Sequence, residues 1–109
     1  MGLMINQYEI VLVNLDPTIG SEISKTRPCV IISPDEINHH LKTIVVVLLT
    51  TTSKNYPTRV KLIFDKKESW IAIDQIRTID KLRIIKVLGS LTAKEIHKIK
   101  LVIEETFVK

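Results

Sequence analysis

The sequence predicts an α+β domain that is mostly β: a small antiparallel sheet, curled or closed into a barrel, with one amphipathic helix packed against it at the C-terminal end. Three observations lead there. Five or six short β-forming runs follow one another from Tyr8 to Leu88, each bounded by turn chemistry. After Gly89 the apolar residues change from the period of a strand to that of a helix. A chain of 109 residues with 45% apolar content is, in addition, one domain spanning 1–109, long enough for one core and too short for two.

Tyr8 to Leu15 is rich in β formers and almost continuously apolar, which fits a strand covered on both faces or rolled into a barrel. Asp16-Pro17 starts a turn and Gly20 offers a position of positive φ, so Thr18 to Thr26 is predicted as an exposed loop. Pro28 to Ser33 is the second strand. Pro28 fixes its own φ and pushes Arg27 into extended geometry, which aims the guanidinium in a defined direction. Pro34, with Asp35 and Glu36 behind it, marks one short helical turn before Leu41. Thr43 to Leu49, with Ile44, Val45, Val46 and Val47 in a row, is the central strand, and it ends abruptly in the hydroxyls of Thr50 to Ser53. A polar loop closes at Pro57. Thr58 to Phe64 then sets Val60, Leu62 and Phe64 against Arg59 and Lys61, the alternation of a half-exposed strand. Asp65 to Ser69 reads as a charged turn, Trp70 to Ile76 as another strand and Arg83 to Leu88 as the last. Trp70 is expected in the core or at a dimer contact. Thr92 and Glu95 form a capping box that opens the closing helix, with Ile96, Ile99, Val102, Ile103 and Phe107 on its apolar face and Lys94, Lys98 and Glu105 away from it.

Sixteen Lys and Arg against twelve Asp and Glu leave a net charge of +4, which suits a polyanionic partner. Cys29, the one cysteine, lies inside the second strand, so no internal disulfide forms and an inert buried thiol is expected. No Lys or Arg precedes Lys25, and no apolar run approaches the roughly 20 residues of a membrane span, so the chain is read as cytoplasmic and without membrane contact. His39, His40 and His97 lack metal-ligand spacing, and no metal is expected. The adjacent His39 and His40 diverge and read as solvated bystanders rather than an acid and base pair. Phosphate loop, nucleophile elbow and dinucleotide fingerprint are all missing, and no cofactor is expected. What is left is a set of polar residues at strand ends: Glu22 and Arg27 on the first loop, Thr50 to Ser53 on the second, Asp74, Gln75 and Arg77 on a later strand. On those residues alone, a surface salt-bridge set with a polar turn competes with a site.

The order of motifs favours a site. Leu15-Asp16-Pro17-Thr18-x-Gly20-Ser21-Glu22, followed by Thr26-Arg27-Pro28-Cys29-Val30-Ile31-Ile32-Ser33-Pro34, resembles the MazF/PemK family of toxin endoribonucleases. Thr50-Thr51-x-Ser53-Lys54-x-Tyr56-Pro57 is similar to the family's second loop. Asp74-Gln75-Ile76-Arg77-Thr78-Ile79-Asp80-Lys81-x-Arg83 is similar to its third block, and Gly89-x-Leu91 leads to its closing helix. The resemblance runs from about residue 8 to 107. It implies a small SH3-like antiparallel barrel of the CcdB/MazF kind, a homodimer, metal-independent cleavage of single-stranded RNA at short sequences, and restraint by a cognate MazE-like antitoxin. It places the catalytic pair on Arg27 and Thr50, and puts Glu22 at a family acid important in some members. Ser21, Lys25, Ser33, Thr51, Ser53, Lys54, Tyr56, Gln75 and Arg77 become candidates for RNA binding, with Lys25, Lys54, Arg59, Arg77 and Arg83 tracking the backbone and Tyr56 stacking on a base.

Chemistry accounts for such a set. Metal-free RNA cleavage uses the substrate's own 2′-OH, so the protein must remove that proton, stabilise charge on phosphorus and assist the departing 5′-oxygen. The planar fork of Arg27 suits the phosphate, Thr50 can donate to it, and Glu22 is the candidate base. The chain departs from the family in three places. Tyr8 stands before Glu9 where the family often has Gly, Ser24-Lys25 replaces a Gly-Gly-like pair, and Ala72 stands where the Kid branch carries a catalytic Arg, so Asp74 is expected to be structural. A CcdB-like gyrase poison is the first alternative. It is disfavoured because the chain ends Glu105-Thr106-Phe107-Val108-Lys109 rather than in a Trp-Gly-Ile tail. A barrel that binds RNA without cutting it is the second, disfavoured by Arg27 and Thr50 together.

Overall fold

The computed structural model describes residues 4–15, 25–52 and 56–108. Of the candidate residues, Ser21, Glu22, Ser53 and Lys54 lie outside the described residues. Six strands form one antiparallel sheet: β1 (Glu9–Asn14), β2 (Thr26–Ile31), β3 (Thr43–Thr50), β4 (Arg59–Phe64), β5 (Lys67–Asp80) and β6 (Ile84–Ser90). Their order is β4-β5-β3-β2-β1-β6, a curled half-barrel with β4 and β6 at its edges. A short helix α1 (Asp35–Asn38) links β2 to β3, and α2 (Ala93–Ile103) follows β6. No helix among the described residues is long and apolar enough to cross a membrane.

The near-continuous apolarity of β1, β2 and β3 has a direct cause, because both faces of the sheet are buried. Val11, Val13, Cys29, Ile31, Ile44, Val46 and Leu48 project to one face and pack with Ile5, Ile79 and Ile84. Ile10, Val30, Val47, Leu49, Val60, Leu62, Ile71 and Ile73 project to the other and pack under α2 through Leu91 and Ile99. Ile99 is fully buried, which contributes roughly 1.5–3 kcal/mol relative to an exposed side chain. The Thr92–Glu95 capping box predicted from sequence is present, with the Thr92 hydroxyl accepting from the Glu95 N–H and the Glu95 carboxylate from the Thr92 N–H.

Several boundaries differ from the sequence expectation. The charged turn is only Asp65 and Lys66, both at positive φ, a two-residue hairpin that pairs Phe64 with Lys67 and lets β5 run to Asp80. β5 bends sharply midway. Val47 faces Ile76 while Leu48 faces Ala72, so Ile73, Asp74 and Gln75 bulge out of the ladder with β3. β2 begins earlier than predicted because Arg27 and Pro28 already pair with Val13 and Leu12 of β1. Pro34 caps α1 rather than occupying its first turn, Gly89 lies inside β6 opposite Ile10, and Trp70, expected in the core or at a dimer contact, is half-buried between Thr50 and Lys61. Phe107, predicted on the apolar face, is half-exposed in the Glu104–Val108 segment, where the helix widens to i→i+5 hydrogen bonding and departs from the period on which the prediction rests. Tyr8, standing where the family often has Gly, adopts a left-handed φ of 69°. Its backbone is fixed by Tyr8 N–H to Ile31 O at 2.7 Å and Leu91 N–H to Tyr8 O at 3.0 Å, and its ring packs against the core under α2.

Candidate functional site

Cys29 of β2 lies opposite Leu48 of β3, and Arg27 and Thr50 each lie two residues further along, toward the same end of the sheet. Arg27 pairs with Val13 of β1, and Arg77 of β5 with Val46 of β3. Directly opposed residues share a face, so both arginines leave the sheet at the open rim of the core cluster that contains Val13, Val46 and Cys29.

A cleft of about 660 Å³ opens at that rim. Lys25, Arg27 and Arg77 supply three cations to its walls, Thr26 and Gln75 supply neutral polar groups, and Leu15 and Leu48 form apolar surface. No carboxylate lines it among the described residues. The Cys29 thiol is buried beneath, within 3.8 Å of the Arg27 carbonyl oxygen. Burial pushes that thiol up to about 11, while the Arg27 and Arg77 guanidiniums pull the other way. Three cations thus stand over apolar surface among the described residues, a set whose charge is complementary to an anion.

Thr50 stands apart from that cleft. Its hydroxyl donates to the Thr52 carbonyl at 3.1 Å and accepts from the Thr52 N–H at 3.2 Å, a local turn that ends β3. Thr50 and the exposed Thr51 border a smaller hollow of about 180 Å³ with Pro28, Leu49, Phe64 and Ser69. Of the candidates for RNA binding, Lys25, Gln75 and Arg77 share the cleft with Arg27, and Tyr56 is half-exposed on the turn before β4. Ser33 leaves the set. It is 3% exposed, its hydroxyl donates to Asn38 Oδ1 and accepts from the Val45 N–H, and Asn38 Nδ2 donates to its carbonyl, so it ties α1 to β3 and has no group to offer a ligand.

Two further arginines are committed elsewhere. Arg83 donates to the Asn14 carbonyl at 3.3 Å, which uses part of its donor set, and Arg59 grips Asp74, which matches its charge. His39 Nε2 meets the Ile5 carbonyl at 3.0 Å and Asn6 Oδ1 at 3.1 Å, which pins the N-terminal segment, and His40 is exposed. Thr26, Leu15 and Leu48 were not among the candidate site residues, although Leu15 and Thr26 belong to the motifs. Only the pairing of β1, β2 and β3 puts them around Arg27.

The profile of the PemK-like, MazF-like toxins of type II toxin-antitoxin systems matches residues 6–107. The chain belongs to this family. The curated Endoribonuclease MazF of Staphylococcus saprophyticus is 33% identical over 102 residues, covering 88% of this chain and 85% of that protein. Among solved structures, an endoribonuclease in complex with its cognate antitoxin from a Mycobacterial species superposes with a TM-score of 0.83 at 23% identity, covering 96% of both chains. MazF from Deinococcus radiodurans superposes with a TM-score of 0.80 at 20% identity, covering 98% of this chain and 99% of that one. At these identities the structural likeness establishes the fold, and the family assignment rests on the profile and the curated relative.

Proposed function

We propose that this chain is the endoribonuclease toxin of a toxin-antitoxin pair, cutting single-stranded RNA at short sequences without a metal ion. The observation that carries the reading is the cleft in which Lys25, Arg27 and Arg77 converge with no described carboxylate, at the end of β2 and β3 where Thr50 also lies. In the proposed reaction the substrate's 2′-oxygen bonds to phosphorus as the P–O5′ bond breaks. The 2′ proton passes to a base, for which Glu22 is the candidate, and the 5′-oxygen gains a proton as it leaves. The products are a 2′,3′-cyclic phosphate and a 5′-hydroxyl.

Arg27 suits the reacting phosphate because its planar fork binds two oxygens at once, and a positioned donor of this kind contributes on the order of 3 kcal/mol to the transition state. Thr50 would donate to the same phosphate once RNA displaces the Thr52 contact. Arg77, Lys25 and Gln75 would hold flanking phosphates and sugars. The working form is proposed to be a cytoplasmic two-fold homodimer, held inactive by a MazE-like antitoxin whose acidic segment covers the basic cleft. Incubating the purified protein with a long single-stranded RNA in EDTA, then mapping the ends, tests the reading. Discrete cuts with 5′-hydroxyl ends are expected. Intact RNA, or 5′-phosphate ends, would overturn it.

A further inference from the structure

The bulge of β5 carries a second arrangement of side chains, on the side away from the core. Arg59 donates Nε to Asp74 Oδ1 at 2.9 Å and Nη2 to Asp74 Oδ2 at 3.2 Å, a two-point grip, and Thr58 Oγ1 donates to Asp74 Oδ1 at 2.9 Å. The side chain of Arg59 is 12% exposed and that of Asp74 40%, so the guanidinium is enclosed while one edge of the carboxylate stays wet. The same guanidinium lies over the Tyr56 ring, 5.7 Å from its centre. The Tyr56 turn is locked to this unit through the backbone, by Arg59 N–H to Tyr56 O and Ile73 N–H to Thr58 O, each at 3.0 Å.

The outcome is a half-exposed aromatic ring with one side against a fixed cation. A tyrosine so placed contributes no core packing, and two chi angles leave it free to swing unless something holds it. Arg59, immobilised by two bonds to a carboxylate, does that. The unit is also joined to the cleft along the chain. Asp74 is followed directly by Gln75, which lines the cleft with Arg27 and Arg77.

We propose that Arg59 and Asp74 are positioning residues that hold the Tyr56 ring as a stacking platform for an RNA base flanking the phosphate seated in the Arg27–Arg77 cleft. The proposal rests on the endoribonuclease reading and adds a base-recognition element to it. Arg59 acts through Tyr56 rather than on phosphate, because its charge is already matched by Asp74. A half-exposed ring with a guanidinium over it suits a single unpaired base and not a duplex.

The test uses the full chain and a single-stranded oligoribonucleotide containing its mapped cleavage site, with one 2′-deoxy sugar at the cleaved nucleotide to block reaction. 2-Aminopurine is placed at each position in turn. Stacking on Tyr56 predicts quenching confined to one position beside the cleaved bond. Tyr56→Leu should abolish that quenching and weaken binding about 10-fold, and Tyr56→Phe should keep both. Arg59→Gln should reproduce part of the Tyr56→Leu effect, and the double variant should bind no worse than Tyr56→Leu alone. An oligonucleotide abasic at the quenched position should bind all these proteins equally. Quenching unchanged in Tyr56→Leu, or additive losses in the double variant, would overturn the proposal. Cleavage of the all-ribose oligonucleotide is scored separately, so a protein that cuts normally but shows no Tyr56-dependent quenching rejects the platform alone, and one that cuts no RNA rejects the reading beneath it.

Discussion

Arg27 and Arg77 line one cleft at the rim of the core that holds Cys29, although they come from strands β2 and β5, which do not pair with each other. Strand β3 lies between them, and its Leu48 lines the same cleft. Two like charges held on one face of a rigid sheet repel each other, and a bound polyanion relieves that repulsion. On the proposed function, bound RNA would therefore favour the folded chain.

Cys29 reports on this arrangement. With its thiol buried and pushed up to about 11, it should resist iodoacetamide in the native protein at about pH 8 and react promptly in denaturant. The folded value is raised, so the neutral thiol's share of stability is fully present below the unfolded thiol's pKa and is lost as pH rises through the folded one. Wild type should therefore lose stability relative to Cys29→Ala between about pH 9 and 11, read by urea denaturation. Rapid native alkylation would refute the buried placement.

Ser33 separates a structural role from a binding one. Ser33→Ala leaves the Val45 N–H and Asn38 Oδ1 without the hydroxyl that satisfies them, and should cost about 1–3 kcal/mol of stability. The dependence of RNA affinity on salt should stay as in wild type. A stable Ser33→Ala protein with weakened RNA binding would return Ser33 to the interface.

Much of this was legible in the chain. The runs of apolar residues in β1 and β3 specified a sheet buried on both faces, and the Thr92–Glu95 spacing specified the start of α2. Arg27 and Arg77 were legible as motif residues, and the bend in β5 that separates Ala72 from Ile76 along β3 was not, because a bulge leaves no periodic signature of its own. Ser33 misled for a related reason: as a hydroxyl beside a strand it reads as polar surface, and only the return of Asn38 through α1 shows that it is enclosed. The partners of Arg59 and Arg83 were not legible, because a contact between residues far apart along the chain, as Asp74 and Asn14 are from them, leaves no mark in the sequence.

Asp74 carries an acid-side prediction. The hydrogen bond from Arg59, aided by Thr58, holds its carboxyl below the usual carboxylate range, against a smaller opposing effect of burial. Because the folded value is depressed, the associated stability is present at neutral pH and disappears as pH falls through it. Asp74→Asn should therefore be less stable than wild type by up to about 1 kcal/mol at pH 7, a modest figure because the pair is partly solvated. The two proteins should converge in acid, once Asp74 is protonated in the folded state. A gap that persists in acid would mean that Asp74 acts through packing rather than charge.

The sharpest division lies between Arg27 and Lys25, two cations of one cleft. A charge that tracks the backbone interacts equally with bound substrate and transition state, whereas a fork aimed at the reacting phosphate gains strength as charge builds there. Arg27→Lys keeps the charge and loses the two-point geometry, so single-turnover cleavage should fall roughly 100-fold or more while affinity for an uncleavable oligonucleotide barely changes. Lys25→Ala should do the reverse. It should weaken binding modestly and lower the slope of log affinity against log salt by about 0.7, the contribution of one phosphate contact on a single strand, with cleavage at saturating protein near normal. The decisive measurement is single-turnover rate and salt slope on the same two variants. An Arg27→Lys protein that cuts at the wild-type rate would remove Arg27 from the chemistry and leave the cleft as a binding surface alone.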